Sequence, residues 1–220
     1  MSDDPVADFN INNSLSMIFA TPLVVHDWQG SEALNRELEA LVLAREREHV
    51  AKDIVRSNAG GWQSPGNLMT WKEPCIETFR QRIEKLVGKL LQQIVRDQGR
   101  NRSFRMLIDA WANINRSGDY NVAHTHPNCM WSGCYYVTPG KPDPAVTWNG
   151  RIELFDPREA ANYIQVSNTV LDARTLIDNV PGRMLLWPSW IRHMVHPYVG
   201  EGERISIAFN VNIVETGAQG

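Results

Sequence analysis

Cysteine is scarce in this sequence: Cys75, Cys129 and Cys134 form an odd set of three with no Cys-x-x-Cys spacing. A disulfide framework needs more thiols in even number, so free thiols in a reducing compartment are expected. Nor is there a surplus of positive charge. The 22 lysines and arginines fall short of the 25 aspartates and glutamates, for a formal charge of −3, whereas non-specific nucleic-acid binding draws on a basic excess. No stretch approaches the roughly 18 consecutive apolar residues of a membrane span. The acidic opening Met-Ser-Asp-Asp-Pro lacks the apolar run of a secretory signal. Internal repeats and low-complexity tracts are missing too. What remains is the expectation of a cytoplasmic protein with no membrane and no nucleic-acid partner.

What is there is the composition of a folded globular chain. Hydrophobic residues make up 43% and charged residues 21% of 220 positions, and eight are tryptophan, enough for a single domain with a full core. The polar residues 1–14 read as a flexible N-terminus, and 15–214 as the domain. Leu15 to His26 has the apolar, β-branched content of a strand, which Pro22 confines to an edge or breaks. Ser31 is placed to cap a helix that runs to about Arg47. A loop follows at Gly60-Gly61-Trp62 and Pro65-Gly66. Pro74 to Asp97 is a second amphipathic helix, with Ile76, Phe79, Ile83, Leu86, Leu90 and Ile94 on one stripe. After Phe104 the pattern changes to short strands divided by Gly/Pro turns, among them Phe104–Asn115, Trp131–Thr138, Gly150–Phe155, Leu171–Ile177, Gly182–Trp187 and Arg204–Val214. Helices at about 31–97 followed by a β-core at about 104–214 predict a sandwich, jelly roll or barrel backed by two helices.

Within that β-core, Asn121-Val-Ala-His124-Thr-His126-Pro places two histidines at i and i+2. On an extended segment they share a face with Cα atoms roughly 6.5 Å apart, close enough for both imidazoles to reach one cation. A lone His-x-His is more often a surface pair. Far downstream, however, Trp190-Ile-Arg-His193-Met-Val-His196-Pro supplies a possible third ligand. His193 is the candidate, and His196 lies on the opposite face if the segment stays extended. The last strand then alternates strictly. Ile205, Ile207, Phe209, Val211 and Ile213 form one face, and Arg204, Ser206, Ala208, Asn210 and Asn212 the other. Two arrangements are open: the polar face lies in water, or the apolar face packs on the leading helices and the polar face lines the interior. In the second, Arg204 and Ser206 make a carboxylate clamp, because the planar guanidinium matches a carboxylate and the hydroxyl adds a donor. Imidazole ligands suit iron, zinc, copper or nickel, and three protein ligands leave positions open for chemistry.

This order of motifs, His-x-ligand, His, then Arg-x-Ser, resembles the Fe(II)/2-oxoglutarate-dependent oxygenases, which fold as a double-stranded β-helix (jelly roll, cupin-like). Gly182-Arg-Met-Leu-Leu-Trp-Pro-Ser189 followed by His193 and Pro197 is similar to the prolyl-4-hydroxylase-like branch. Tyr120-Asn-Val-Ala-His-Thr-His-Pro127, Ser132-Gly-Cys-Tyr-Tyr-Val137 and the strand ending in Asp156-Pro157-Arg158 resemble a bacterial and phage group within it. The resemblance implies that His124, His126 and His193 are catalytic metal ligands for Fe(II). It implies that Arg204 and Ser206 hold the distal carboxylate of the co-substrate 2-oxoglutarate. Asn121 and one of the adjacent Tyr135 and Tyr136 would also reach it; alternation turns the other away, and Tyr135 is assigned to the cofactor set. His126 departs from the family pattern, which has aspartate at this place. The implied activity is hydroxylation of a small-molecule or peptidyl substrate. The alternatives are a three-histidine, cupin-like dioxygenase that does not use 2-oxoglutarate, and a metal-binding β-domain without turnover. The apolar faces of the two helices are a possible homodimer surface.

Overall fold

The computed structural model describes residues 16–48, 57–94, 102–163, 166, 169 and 171–218. The expected flexible segment 1–14 and the end of the predicted second helix lie outside those residues. In chain order the elements are β1 (Val24–Asp27), α1 (Glu32–Glu48), β2 (Asn58–Ala59), β3 (Trp62–Gln63), α2 (Pro74–Ile94), β4 (Arg102–Asn115), β5 (Tyr120–His124) and β6 (Trp131–Thr138). There follow β7 (Lys141–Pro142), β8 (Ile152–Phe155), β9 (Arg174–Ile177), β10 (Arg183–Pro188), β11 (His193–Val195), β12 (Gly200–Glu201) and β13 (Arg204–Ala218).

A six-stranded antiparallel sheet in the order β1-β10-β6-β13-β4-β3 stands against a five-stranded one in the order β2-β5-β11-β8-β9. Every named pairing is antiparallel, and the whole is a jelly roll backed by helices. Three local readings needed changing. The strand expected from Leu15 shrinks to Val24–Asp27, because its partner β10 meets it only there. The strand expected from Leu171 begins at Arg174, where pairing with Phe155 starts. The loop expected around Gly60-Gly61-Trp62 and Pro65-Gly66 contains the short strands β2 and β3 and is followed by a 3₁₀ turn at Leu68–Thr70.

Alternation along the large sheet separates two cores. On one side Ile205, Ile207, Phe209 and Val211, all fully buried, pack with Leu38 and Val42 of α1 and Ile76, Phe79, Ile83 and Val87 of α2. The helix faces considered for a dimer are therefore consumed inside the chain. On the other side Tyr136, Leu185 and Trp187 meet Ile152, Leu154 and Ile177 of the small sheet. Among the described residues no helix is long and apolar enough to cross a membrane.

The helix-side core depends on one missing side chain. Gly133 lies opposite Phe209 in the ladder, and a Cβ there would come within 2.2 Å of the Phe209 ring and 2.6 Å of the Leu185 carbonyl. Gly133→Ala should lower stability by about 1–3 kcal/mol through overpacking, read as a reduced urea midpoint at unchanged m-value.

Candidate metal centre

The site is built where β5 meets β11. His124 and His193 are directly opposite in that ladder, so their side chains leave the same face of the small sheet. His126 lies past the end of β5, and extended alternation alone does not hold it. Its backbone N–H donates to the Ser189 carbonyl at 3.1 Å, which fastens the turn to the β10–β11 connection and returns the ring to the site. One ring nitrogen from each of His124, His126 and His193 lies within 4.8 Å of the other two, so the three could hold one metal ion.

The outer nitrogens determine what the inner ones can do. Nδ1 of His124 is 2.7 Å from the Val122 carbonyl, and Nδ1 of His193 is 3.0 Å from the Ile191 carbonyl. A carbonyl only accepts, so both Nδ1 atoms carry the proton and both Nε2 atoms are bare. His126 Nδ1 lies 2.6 Å from Asn210 Oδ1 and 2.9 Å from Ser132 Oγ. Ser132 in turn donates to Asn210 Oδ1 at 3.0 Å. Hydrogen bonds from the second ring nitrogen fix the tautomer and orientation of a ligating histidine. As a result the Nε2 atoms of His124 and His126 face each other at 3.0 Å. Two bare lone pairs repel at that distance, and a shared cation removes the repulsion. Ligands about 2.1 Å from one ion at a right angle sit roughly 3.0 Å apart, so these residues fit a metal.

Burial keeps the imidazoles neutral. Desolvation lowers the pKa of His124 and, against the Asn210 hydrogen bond, that of His126. His193, 4% exposed and stacked edge-on against Trp187 at 5.0 Å, is pushed down to about 3, first by desolvation and then by the neighbouring His124. His196 stands apart: its Nε2 contacts Glu153 Oε2 at 2.6 Å on the far side of the small sheet. Arg158 is exposed and paired with Asp156.

A cavity adjoins the three rings, with Arg204, Ser206, Asn121 and Tyr136 in its wall. Arg204 is 1% exposed. Its guanidinium donates to the Gly150 carbonyl at 3.0 Å, Asn115 Oδ1 at 3.1 Å, Asn179 Oδ1 at 3.3 Å and Ser206 Oγ at 3.4 Å. Every one of these acceptors is neutral, and among the described residues no carboxylate pairs with it. A buried cation without a counter-ion is costly, so the site is prepared for an anion. Three more polar groups of the same cavity wall, Tyr136 Oη, Asn113 Oδ1 and Trp187 Nε1, have no hydrogen-bond partner. Native interiors rarely leave such groups unmatched.

Tyr135 is the correction. It shares the helix-side face with Ile207, its partner in the ladder. Its hydroxyl donates to Asn35 Oδ1 at 2.7 Å and accepts from Arg82 at 2.9 Å. Tyr136 is the inward one, its ring under the Arg204 guanidinium at 5.6 Å. The sequence placed Asn210 on the polar face of its strand and Trp187 in core or pocket wall but gave no role at the site to Asn113, Ser132, Trp187 or Asn210. Asn113 and Asn210 could have been found by extending the alternation of β13 across the ladder, where Ser206 opposes both Asn113 and Tyr136, and Asn210 opposes Ser132.

Residues 109–210 match the family described as "Putative 2OG-Fe(II) oxygenase". Among solved structures, a prolyl-4-hydroxylase from Pseudomonas putida is similar at 15% identity and TM-score 0.58, over 86% of this chain and 91% of that one. HygX from Streptomyces hygroscopicus, solved with nickel and 2-oxoglutarate bound, is similar at 12% identity and TM-score 0.54, over 87% and 83%. The viral collagen prolyl hydroxylase of Paramecium Bursaria Chlorella virus-1, solved as a 2-oxoglutarate complex, is similar at 13% identity and TM-score 0.52, over 86% and 94%. Compared by sequence, no curated protein matches the chain.

The lowered histidine pKa has a consequence for the metal-free protein. A histidine that stays neutral in the fold but has an unfolded pKa of about 6.5 makes the unfolded state bind more protons as pH falls. Stability should therefore drop from pH ~6.5 downward, continuing toward the folded pKa of about 3 at His193. That residue alone contributes about 1.4 kcal/mol per pH unit in this window. Urea unfolding between pH ~7 and ~5 reads the slope, and His193→Gln should make it shallower.

Proposed function

We propose that this chain, whose residues 109–210 match the 2OG-Fe(II) oxygenase family, is a mononuclear non-haem iron enzyme that uses 2-oxoglutarate to hydroxylate a C–H bond of a small-molecule or peptidyl substrate. His124, His126 and His193 hold Fe(II) through Nε2, each kept in that tautomer by the acceptor at its Nδ1. When bound together, Fe(II) and 2-oxoglutarate supply the hard chemistry, in which decarboxylation of the oxo acid to succinate activates dioxygen. The rest is done by the protein.

The observation that carries the co-substrate assignment is the buried Arg204 without a counter-ion. A distal carboxylate at Arg204 and Ser206 neutralises the guanidinium. The Tyr136 hydroxyl is a free donor beside the same place, and burial raises its pKa, so it stays protonated and can donate. Asn121, tied to Ser57 Oγ at 3.4 Å, forms the neighbouring wall. Three neutral imidazoles leave the full positive charge of the metal, which a dianionic oxo acid offsets from within the cavity. The same feature counts against a three-histidine dioxygenase that ignores 2-oxoglutarate, because such an enzyme has no use for a buried clamp. The buried Arg204, Ser206 and Tyr136 keep the co-substrate end of the cavity away from bulk water. The free thiols of Cys75, Cys129 and Cys134 suit a reducing cytoplasm.

Anaerobic addition of 2-oxoglutarate to the Fe(II)-loaded protein should produce a visible charge-transfer band, and aerobic incubation should release succinate. Arg204→Ala should raise the 2-oxoglutarate concentration for half-maximal band by roughly 30-fold or more, since removing one partner of a buried charge pair costs about 2–5 kcal/mol. Circular dichroism checks that the variant is folded. No band from iron-loaded wild type, or a band indifferent to Arg204, would sink the assignment.

A further inference from the structure

β4 and β13 pair along their whole length, from Arg204↔Asn115 to Ala218↔Arg102. β6 covers β13 only as far as Val211, and β3 covers the other edge of β4 only at Gln63 and Trp62. The Asn67 bridge to Ala110 adds one more contact on that edge. Beyond it, among the described residues, no backbone or side-chain hydrogen bond reaches the outer edge of β4 from Arg105 to Asp109. The exposed side chains of this stretch are Arg105, Leu107 and Asp109, with Leu107 45% exposed. Among the described residues neither Arg105 nor Asp109 has an ion-pair partner.

An open strand edge is a template for pairing, and natural sheets usually blunt it with charged side chains, proline or a bulge. The stretch Arg105-Met-Leu-Ile-Asp109 has no proline and no bulge in its ladder with β13, and its two charges are of opposite sign. Its charges are instead self-complementary. The N–H and C=O of even-numbered residues face outward here, as the Ser64–Ala112 and Trp62–Ile114 pairings show. Two copies related by a two-fold axis at Leu107 then exchange backbone hydrogen bonds between Met106 and the partner's Ile108. Leu107 meets the partner's Leu107, and Arg105 meets the partner's Asp109 twice over, at the closely spaced non-hydrogen-bonded positions. Centring the pair on Arg105 or on Asp109 would oppose like charges. Centring it on Met106 would set Arg105 against Leu107 and Asp109 against Ser103, and centring it on Ile108 would set Asp109 against Leu107 and Arg105 against Trp111. Only one register satisfies everything.

We propose that this edge is a homodimer interface, with β4 pairing antiparallel to β4 of a second copy about Leu107. The seam ends two residues from Trp111, which lines the cavity beside the three histidines, so assembly borders the cavity wall. The interface is independent of the chemistry at the histidines. A five-residue edge is a small interface, so the dimer is a weak one that forms reversibly in the micromolar range or above.

Sedimentation velocity from about 5 to about 300 µM should show the mass rising from monomer toward dimer. Arg105→Asp or Asp109→Arg alone places like charges together and should raise the dimer dissociation constant roughly tenfold or more. The double variant Arg105→Asp/Asp109→Arg recreates the pairs in reverse and should recover the wild-type constant. Both side chains are exposed, so the fold is unaffected, and circular dichroism verifies that. A monomer throughout the range, single variants that associate like wild type, or a double variant that fails to recover would each overturn the interface.

Discussion

Strict two-residue alternation along β13 governs both halves of this molecule. One set of side chains, Ile205 to Val211, is buried against two helices, while the intervening set, Arg204, Ser206 and Asn210, faces the second sheet. The period of a strand allows no compromise: a slip of one residue would send the guanidinium into the helix-side core and the isoleucines into the cavity. Stability and site geometry therefore rest on the same register. Gly133, which makes room for Phe209 on the apolar side, shows how little tolerance the packing has.

On that scaffold the polar groups fall into two classes. Those around the imidazoles are satisfied: each Nδ1 has an acceptor, and Asn210 and Ser132 form a closed set with His126. Elsewhere in the cavity wall they are not: Tyr136 and Asn113, and Trp187 beside His193, each leave an atom unmatched. The first class orients ligands toward a point, and the second waits for something polar. A metal beside an anion answers both needs at once. The third ring, His126, is held by Asn210 as its two neighbours are held by backbone carbonyls.

The long β4–β13 ribbon connects this interior to the outside. It carries Asn113, Ser206 and Asn210 in the cavity region and, a few residues further along the same face, the exposed Arg105, Leu107 and Asp109. Because one pair of strands supplies both surfaces, the self-complementary edge lies two residues from the cavity wall at Trp111.

Much of this was legible in the chain alone. Both helices, the run of short strands behind them, the three candidate histidines and the shared face of Arg204 and Ser206 all follow from periodicity and residue chemistry, which are local properties. Which of two adjacent tyrosines turns inward was not local. Tyr135 and Tyr136 alternate correctly in either phase, and only the pairing of β6 with β13 chooses between them. The convergence of His126 likewise depends on a hydrogen bond to Ser189, far along the chain. The burial of Arg204 without a counter-ion comes from strands brought together by the ladder. Sequence determined which side chains were available and with what period; tertiary structure decided the phase, because register is a relation between strands and no single strand contains it.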